Sequence, residues 1–519
     1  KRVFLVILFT SFSGSLVSRI SGAVHNRFLG LPIFLFVMYL MFLLAINIGG
    51  ALQPLFDVGS VALFVHGIQW IGYTLHFPDW LTIFLAQGLG GGINTVLPLV
   101  PQIGMMYLFL SFLEDSGYMA RAAFVMDRLM QALGLPGKSF VPLIVGFGCN
   151  VPSVMGARTL DAPRERLMTI MMAPFMSCGA RLAIFAVFAA AFFGQNGALA
   201  VFSLYMLGIV MAVLTGLMLK YTIMRGEATP FVMELPVYHV PHVKSLIIQT
   251  WQRLKGFVLR AGKVIIIVSI FLSAFNSFSL SGKIVDNIND SALASVSRVI
   301  TPVFKPIGVH EDNWQATVGL FTGAMAKEVV VGTLNTLYTA ENIQDEEFNP
   351  AEFNLGEELF SAVDETWQSL KDTFSLSVLM NPIEASKGDG EMGTGAMGVM
   401  DQKFGSAAAA YSYLIFVLLY VPCISVMGAI ARESSRGWMG FSILWGLNIA
   451  YSLATLFYQV ASYSQHPTYS LVCILAVILF NIVVIGLLRR ARSRVDIELL
   501  ATRKSVSSCC AASTTGDCH

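Results

Sequence analysis

Charged side chains are scarce in this sequence. Asp, Glu, Lys and Arg make up 13% of its 519 residues, while 55% are hydrophobic, against about a quarter charged in ordinary soluble domains. A soluble protein of this length could not bury so much apolar surface, which excludes a soluble enzyme, a coiled coil and a disordered protein. The net charge of +1 gives no indication of a nucleic-acid partner. The sequence predicts an integral membrane protein in contact with lipid.

Long stretches lack charge altogether, between Trp80 and Leu113, between Leu182 and Leu219, and between Gly437 and Leu488. A transmembrane helix needs about 20 apolar residues, whereas the strands of a membrane barrel alternate in short segments. We therefore expect an all-α polytopic fold with about ten spans. The predicted spans are Leu31–Gly50, Gly59–Phe77, Trp80–Leu113, Phe140–Ala157, Leu167–Phe193, Leu199–Leu219, Val264–Phe278, Tyr411–Ile430, Phe441–Val460 and Tyr469–Leu488.

Basic residues gather in the short connections, where they set membrane orientation. Four groups, at 158–166, 220–260, 432–436 and 489–494, are all expected on the cytoplasmic side. This orientation places residues 340–402, with 14 acidic residues and two lysines, on the outer side.

An internal repeat is visible in two landmarks. Ser153–Ala157 recurs as Ser425–Ala429, and Met119–Arg121 has a counterpart in Met325–Lys327. The landmarks are 34 residues apart in the first copy and 100 in the second, so residues 340–402 are interpreted as an insertion. Whether the copies are inverted is left open, although we favour a re-entrant segment around Lys327. The predicted organisation is 1–29 unassigned lead, 30–93 first spans, 94–222 first repeat, 223–313 connection with one span, 314–460 second repeat and 461–519 last span and tail.

Three cysteines, Cys149, Cys178 and Cys423, lie in apolar runs beside helix-breaking residues. Proline or glycine there frees backbone carbonyls, which at membrane depth must face protein or a cavity. A thiol beside such carbonyls is a plausible site for a borderline-soft ion such as Fe²⁺, Cu⁺ or Zn²⁺. The alternative is that each thiol packs as a small hydrophobic side chain. The breakers beside them are Gly146, Gly148, Pro152, Pro174, Gly179 and Pro422.

A few charged residues interrupt or end the apolar runs. Glu114 and Asp115 could collect a divalent cation, or they could mark the membrane interface and pair with Arg121. Lys327 and Glu328 form either a buried ion pair or part of a gate. Charges at membrane depth are functional candidates because their burial is costly.

The C-terminal tail carries Cys509, Cys510 and Cys518, which could bind metal or sense redox state. A solvated tail without function is the alternative. Thiols in a cytoplasmic tail stay reduced, so a disulfide framework is not expected.

A nucleotide site is not predicted. Gly137-Lys138-Ser139 ends like a phosphate-binding loop, but Ala132 stands where the motif needs glycine. The chain itself is therefore not expected to be an enzyme.

Three segments, Leu113–Arg121, Gly146–Arg158 and Ala173–Arg181, resemble the membrane domain of the ferrous iron transporter B family. The resemblance runs from about residue 30 to 495. It implies Fe²⁺ uptake across a bacterial inner membrane through two gate-type repeats with broken helices, with Cys149, Cys178 and Cys423 as pore thiols. It also implies a small cytoplasmic partner protein and leaves a homo-oligomer open.

The family also carries an N-terminal GTP-binding domain, using GTP and Mg²⁺, and a helical spacer. Residues 1–29 resemble neither, so we expect this sequence to be part of a longer protein. Two other hypotheses stay open: a gate-fold transporter of an organic solute such as a nucleoside, and a membrane metal sensor or membrane-embedded enzyme.

Overall fold

The computed structural model describes most of the membrane part of the chain. It covers residues 30–78, 81–82, 84–224, 241–277, 291–325, 327, 329–339, 355–373, 394–464 and 466–512. Within these ranges every regular element is a helix, as the apolar runs predict. The lead 1–29, Glu328 and Cys518 lie outside the described residues.

The first half is a series of apolar helices joined by short connections. The α-helices are α1 (Gly30–Ala51), α2 (Gln53–Ser60), α3 (Gly67–Thr74), α4 (Gly91–Val96), α5 (Leu99–Asp115), α6 (Tyr118–Leu133), α7 (Phe140–Val145), α8 (Asn150–Gly156), α9 (Pro163–Met172), α10 (Gly179–Phe192) and α11 (Gly197–Thr222). Wider π-helical turns, Val61–His66 and Phe84–Gly90, join α2 to α3 and precede α4.

The second half is also a series of helices. Its α-helices are α12 (Val243–Phe257), α13 (Lys263–Ser277), α14 (Ala292–Ile300), α15 (Trp314–Met325), α16 (Val329–Thr339), α17 (Leu355–Thr373), α18 (Thr394–Phe404), α19 (Ala407–Leu419), α20 (Ile424–Glu433), α21 (Arg436–Ala461) and α22 (Pro467–Ala512). Helix α17 and most of α18 belong to the acidic stretch 340–402.

Six helical segments are long and apolar enough to cross a membrane: Asn47–Thr74, Pro163–Phe192, Gly197–Thr222, Ala407–Glu433, Arg436–Ala461 and Pro467–Arg490. Each overlaps a span predicted above. The other four predicted spans fall on α1, on the interrupted stretch 84–115, on α7 and α8, and on α13. The chain is therefore a multi-pass membrane protein, and the count of about ten spans stays a prediction.

The core is shared between the two predicted repeats. Phe188 of α10 stacks on Tyr413 of α19, with ring centroids 5.4 Å apart, and meets Phe404 of α18 edge-on at 5.6 Å. All three side chains are fully buried. Aromatic pairs of this geometry add about 1 kcal/mol to the energy of burial, so the packing ties one repeat to the other.

Helix α17 of the insertion is attached to the first spans. It packs against α2, and Nδ1 of His66 lies 2.9 Å from both carboxylate oxygens of Glu358. Its opposite side exposes Phe360, Val363 and Trp367. The acidic insertion is thus not simply a solvated loop.

Candidate metal path at the helix breaks

The first break separates α7 from α8. Helix α7 ends at Val145, and glycine at 146 and 148 weakens any continuation because glycine loses the most backbone entropy in a helix. Cys149 has extended dihedrals, φ −153° and ψ 131°, and α8 begins at the next residue. The thiol-bearing residue is therefore the N-cap of α8.

The second break follows α9. Pro174 lies in a single 3₁₀ turn, Ala173–Phe175, after which the chain is extended. Cys178 has φ −82° and ψ 165° and directly precedes α10. It occupies the same position relative to its helix as Cys149.

The third break separates α19 from α20. Tyr420, Val421 and Pro422 form the connection, and Cys423, with φ −59° and ψ 155°, is the N-cap of α20. The first backbone N–H groups of a helix lack intrahelical partners, and its dipole is positive at this end. All three cysteines are half-buried, and each lies at the positive end of a helix dipole.

The first two breaks touch each other. The amide of Gly179 donates to the carbonyl oxygen of Gly148 at 3.3 Å. The side-chain amide of Asn150 donates to the carbonyl oxygen of Met176 at 3.3 Å. The residues flanking Cys149 and Cys178 are thus bonded directly to one another. Helix α20, which Cys423 caps, packs against α8, so the third thiol lies on an adjoining helix.

Arg181 is a residue that the sequence reasoning passed over. Its side chain is 1% exposed, and its Nη1 donates to the carbonyl oxygens of Pro174 at 3.0 Å and Met176 at 2.8 Å. It thereby satisfies carbonyls that the second break leaves without helical partners. The sequence signal for Arg181 was its position directly before the uncharged run that begins at Leu182.

A tyrosine accompanies each thiol, buried in the case of Tyr107 and Tyr420 and partly buried in the case of Tyr205. Tyr107, Tyr205 and Tyr420 lie within electrostatic range of Cys149, Cys178 and Cys423, respectively. Lys327, 3% exposed, has its Nζ 5.0 Å from the centre of the Tyr420 ring. A cation–π contact of this kind stabilises a buried ammonium and places Lys327 beside the third break.

Glu114 and Asp115 lie at the end of α5, against α12. Glu114 forms an ion pair with Arg253 at 2.8 Å, and Gln249 donates to Asp115 at 3.4 Å. Arg121, the partner proposed from sequence, donates to the carbonyl oxygen of Gly117 at 3.1 Å, and its pairing with the two acids stays a prediction. The described contacts therefore connect the two acids to α12.

An ion cluster around the buried Glu433, at the end of α20, connects the two predicted repeats. Glu433, whose side chain is 2% exposed, accepts from both Arg158 and Arg166, with the Arg166 bond at 3.0 Å. Arg158 makes a two-pronged contact, and these hydrogen bonds raise the pKa of its guanidinium above the usual value. Arg158 follows the first landmark and Glu433 the second, so equivalent ends of the two repeats are connected.

Among the described residues, no group of three or more His, Cys, Asp or Glu side chains could hold a metal ion. A site at the breaks would therefore need carbonyl, amide or hydroxyl oxygens beside its thiols. Cys509 and Cys510 lie in the last turns of α22, and their predicted role in metal binding or redox sensing stays a prediction.

Comparisons with known proteins agree with this architecture. The Gate family, described as nucleoside recognition, matches residues 96–192 and 258–436, more than half of the chain. The family described as ferrous iron transport protein B C terminus matches residues 201–253. No solved structure matches the chain significantly.

Several curated relatives are nearly identical to the chain. Over 502 residues it is 99% identical to the Fe(2+) transporter FeoB of Escherichia coli O157:H7 and 98% identical to that of strain K12. Over 506 residues it is 94% identical to the Fe(2+) transporter FeoB of Salmonella typhimurium. These matches cover 97% of the chain but 65% of each relative. The chain therefore belongs to the Gate family, and it is nearly identical to about two thirds of the length of Fe(2+) transporters named FeoB.

Proposed function

We propose that this chain is the membrane part of a ferrous iron uptake transporter, carrying Fe²⁺ across a bacterial inner membrane. The observation that carries the proposal is the placement of Cys149, Cys178 and Cys423, each at the start of a helix that follows a break. The near-identical relatives named Fe(2+) transporter FeoB support the choice of ion.

The path we propose runs between two gate-type repeats whose helices are broken at membrane depth. Fe²⁺ is a borderline ion that accepts both thiolate sulfur and oxygen ligands. Thiols and carbonyls at the breaks would replace part of the water that the ion loses on leaving solution. Glu114 and Asp115 would collect the ion near one end of this path, and Lys327 with Glu328 would belong to its gate.

Replacement of each thiol tests the proposal. We expect Cys149→Ser, Cys178→Ser and Cys423→Ser each to lower ferrous uptake strongly in cells that lack other ferrous transporters. Cys473→Ser is the matched control, since Cys473 lies within α22 with no break beside it, and uptake should stay normal. Normal uptake in all three variants, at equal membrane abundance, would overturn the thiol-lined path.

A second candidate is supported by the description of the Gate family as nucleoside recognition. In that function the thiols would only pack and the ligand would be an organic solute. Uptake of a radiolabelled nucleoside that persists in the three Ser variants would favour this candidate over iron.

The relatives are longer than the part of them that this chain matches. We propose that GTP and Mg²⁺ act on another part of such proteins, coupled to the membrane part described above. A small cytoplasmic partner protein and a homo-oligomer belong to the same proposal.

A further inference from the structure

Unpartnered polar atoms occur where the first two breaks meet. Four buried atoms there make no hydrogen bond: Oδ1 of Asn150, Oγ of Ser153, Oγ of Ser177 and Nε of Arg181. Their side chains are between 0% and 4% exposed. Because buried polar atoms nearly always have a partner, such a group indicates a missing ion or water.

The orientation of Asn150 follows from its neighbour. Its Nδ2 donates to the carbonyl oxygen of Met176, which can only accept, so the nitrogen and not the oxygen must face Met176. The amide oxygen is therefore turned away from that carbonyl. Arg181 donates to the same carbonyl and fixes it in place.

Two of these atoms, Oδ1 of Asn150 and Oγ of Ser177, belong to residues next to the two thiols. Asn150 follows Cys149 in the chain, and Ser177 precedes Cys178. The bond from Gly179 to Gly148 brings these pairs of residues together. The residues brought together at the two breaks thus carry two sulfur atoms and two neutral oxygens, and these oxygens have no hydrogen-bond partner among the described residues.

We infer that Asn150 and Ser177 supply oxygen ligands to a divalent cation held between Cys149 and Cys178. This inference rests on the proposed function and adds residues to its site. A mixed set of two sulfurs and two oxygens suits a borderline ion such as Fe²⁺ better than Mg²⁺ or Ca²⁺, which prefer oxygen alone. Asn and Ser ligands also explain how a metal site can exist although, among the described residues, no three or more His, Cys, Asp or Glu side chains lie together.

The test measures binding of Co²⁺, a spectroscopic substitute for Fe²⁺, to the full chain purified in detergent under reducing conditions. We expect Ser177→Ala and Asn150→Ala each to weaken Co²⁺ binding by about tenfold or more, as loss of groups around a metal does. The sulfur-to-cobalt charge-transfer band should persist in both variants, because the thiols remain. X-ray absorption should show fewer protein oxygens around cobalt.

Ser139→Ala is the matched control. Ser139 is equally buried and its Oγ is also unpartnered, but it precedes α7, at the opposite end of that helix from the break. Its replacement should leave Co²⁺ binding unchanged. Ser177→Ala removes one oxygen and adds no volume, so it is expected to fold even if Asn150→Ala does not.

The outcomes separate the two proposals. If Cys149→Ser and Cys178→Ser abolish the charge-transfer band while Ser177→Ala and Asn150→Ala bind Co²⁺ normally, the oxygen ligands are wrong and the thiol site stands. If the Cys variants bind Co²⁺ like the parent chain, the thiol site itself is wrong, and the oxygen ligands fall with it.

Discussion

The backbone nitrogen of Gly179 donates to the backbone oxygen of Gly148 at 3.3 Å. This bond joins the residue after one thiol to the residue before another, across 31 positions of sequence. Both breaks fall in the predicted first repeat, and this main-chain bond joins them without using a side chain. The side chains around this bond decide how rigidly the two breaks are held against each other.

Arg181 is the first of these side chains. Replacing it with Met removes the side-chain donor to the carbonyl of Pro174 and leaves that of Met176 with Asn150 as its side-chain donor, and we expect the free energy of unfolding to fall by about 1–3 kcal/mol. Lys in its place keeps the charge and should lose less. Thermal unfolding in detergent measures both, with Arg436→Met, an exposed arginine at the start of α21, as control. An Arg181→Met protein as stable as its parent would show that water satisfies the carbonyls instead.

The close contact between α15 and Tyr420 gives a second prediction. A Cβ at Gly323 would lie 2.6 Å from the Tyr420 hydroxyl and 2.7 Å from Cγ2 of Val330. We expect Gly323→Ala to destabilise the protein by about 1–3 kcal/mol, the usual cost of overpacking. In α16, a Cβ at Gly332 meets nothing within 4 Å, so Gly332→Ala should be neutral or slightly stabilising.

Tyr420→Phe provides the companion variant. The hydroxyl donates to the carbonyl oxygen of Leu320 at 3.2 Å, so its loss alone should cost about 1 kcal/mol. Tyr420→Phe also removes the hydroxyl that a Cβ at Gly323 would meet. The double variant Gly323→Ala/Tyr420→Phe should therefore lose less free energy of unfolding than the sum of the two single losses. Strict additivity in the unfolding measurements would mean that Val330 alone causes the strain.

The sequence indicated the helical class, because long uncharged apolar runs determine helices locally; the pore role of the three thiols stays a prediction. It did not indicate what the thiols would face. Arg181 and Asn150 act through carbonyls of Pro174 and Met176, which no pattern of side chains reveals. The pairing of Glu114 with Arg253 was missed for a related reason, since it depends on how α5 and α12 pack. Arg121 was closer in sequence and therefore the more obvious partner.

The ion cluster between the repeats gives a third prediction. Glu433→Gln removes the charge that Arg158 and Arg166 share. Because Glu433 is buried but the two arginines are 53% and 34% exposed, we expect the loss of these charged hydrogen bonds to cost about 1–3 kcal/mol. Melting in detergent should show this loss, together with reduced ferrous uptake if the repeats must stay aligned. The control is Glu311→Gln, whose partner Lys305 is 3.0 Å away with both side chains 59% exposed. Such a surface pair contributes about 1 kcal/mol or less. Equal losses in the two variants would mean that burial of Glu433 adds nothing.

The last prediction separates the two interpretations of Glu114. If it collects Fe²⁺, Glu114→Gln should raise the concentration of Fe²⁺ needed for half-maximal uptake, while Arg253→Gln, which frees the carboxylate, should lower it or leave it unchanged. If Glu114 only attaches α5 to α12, the two variants should behave alike, and the double variant should be no worse than either alone, because both remove one contact.

Each side chain of the pair is between 33% and 48% exposed, so neither variant should lose more than about 1 kcal/mol of stability. Ferrous uptake measured across a range of concentrations therefore reports on function with folding intact. Opposite shifts in the two single variants favour cation collection, whereas matching shifts favour the structural ion pair.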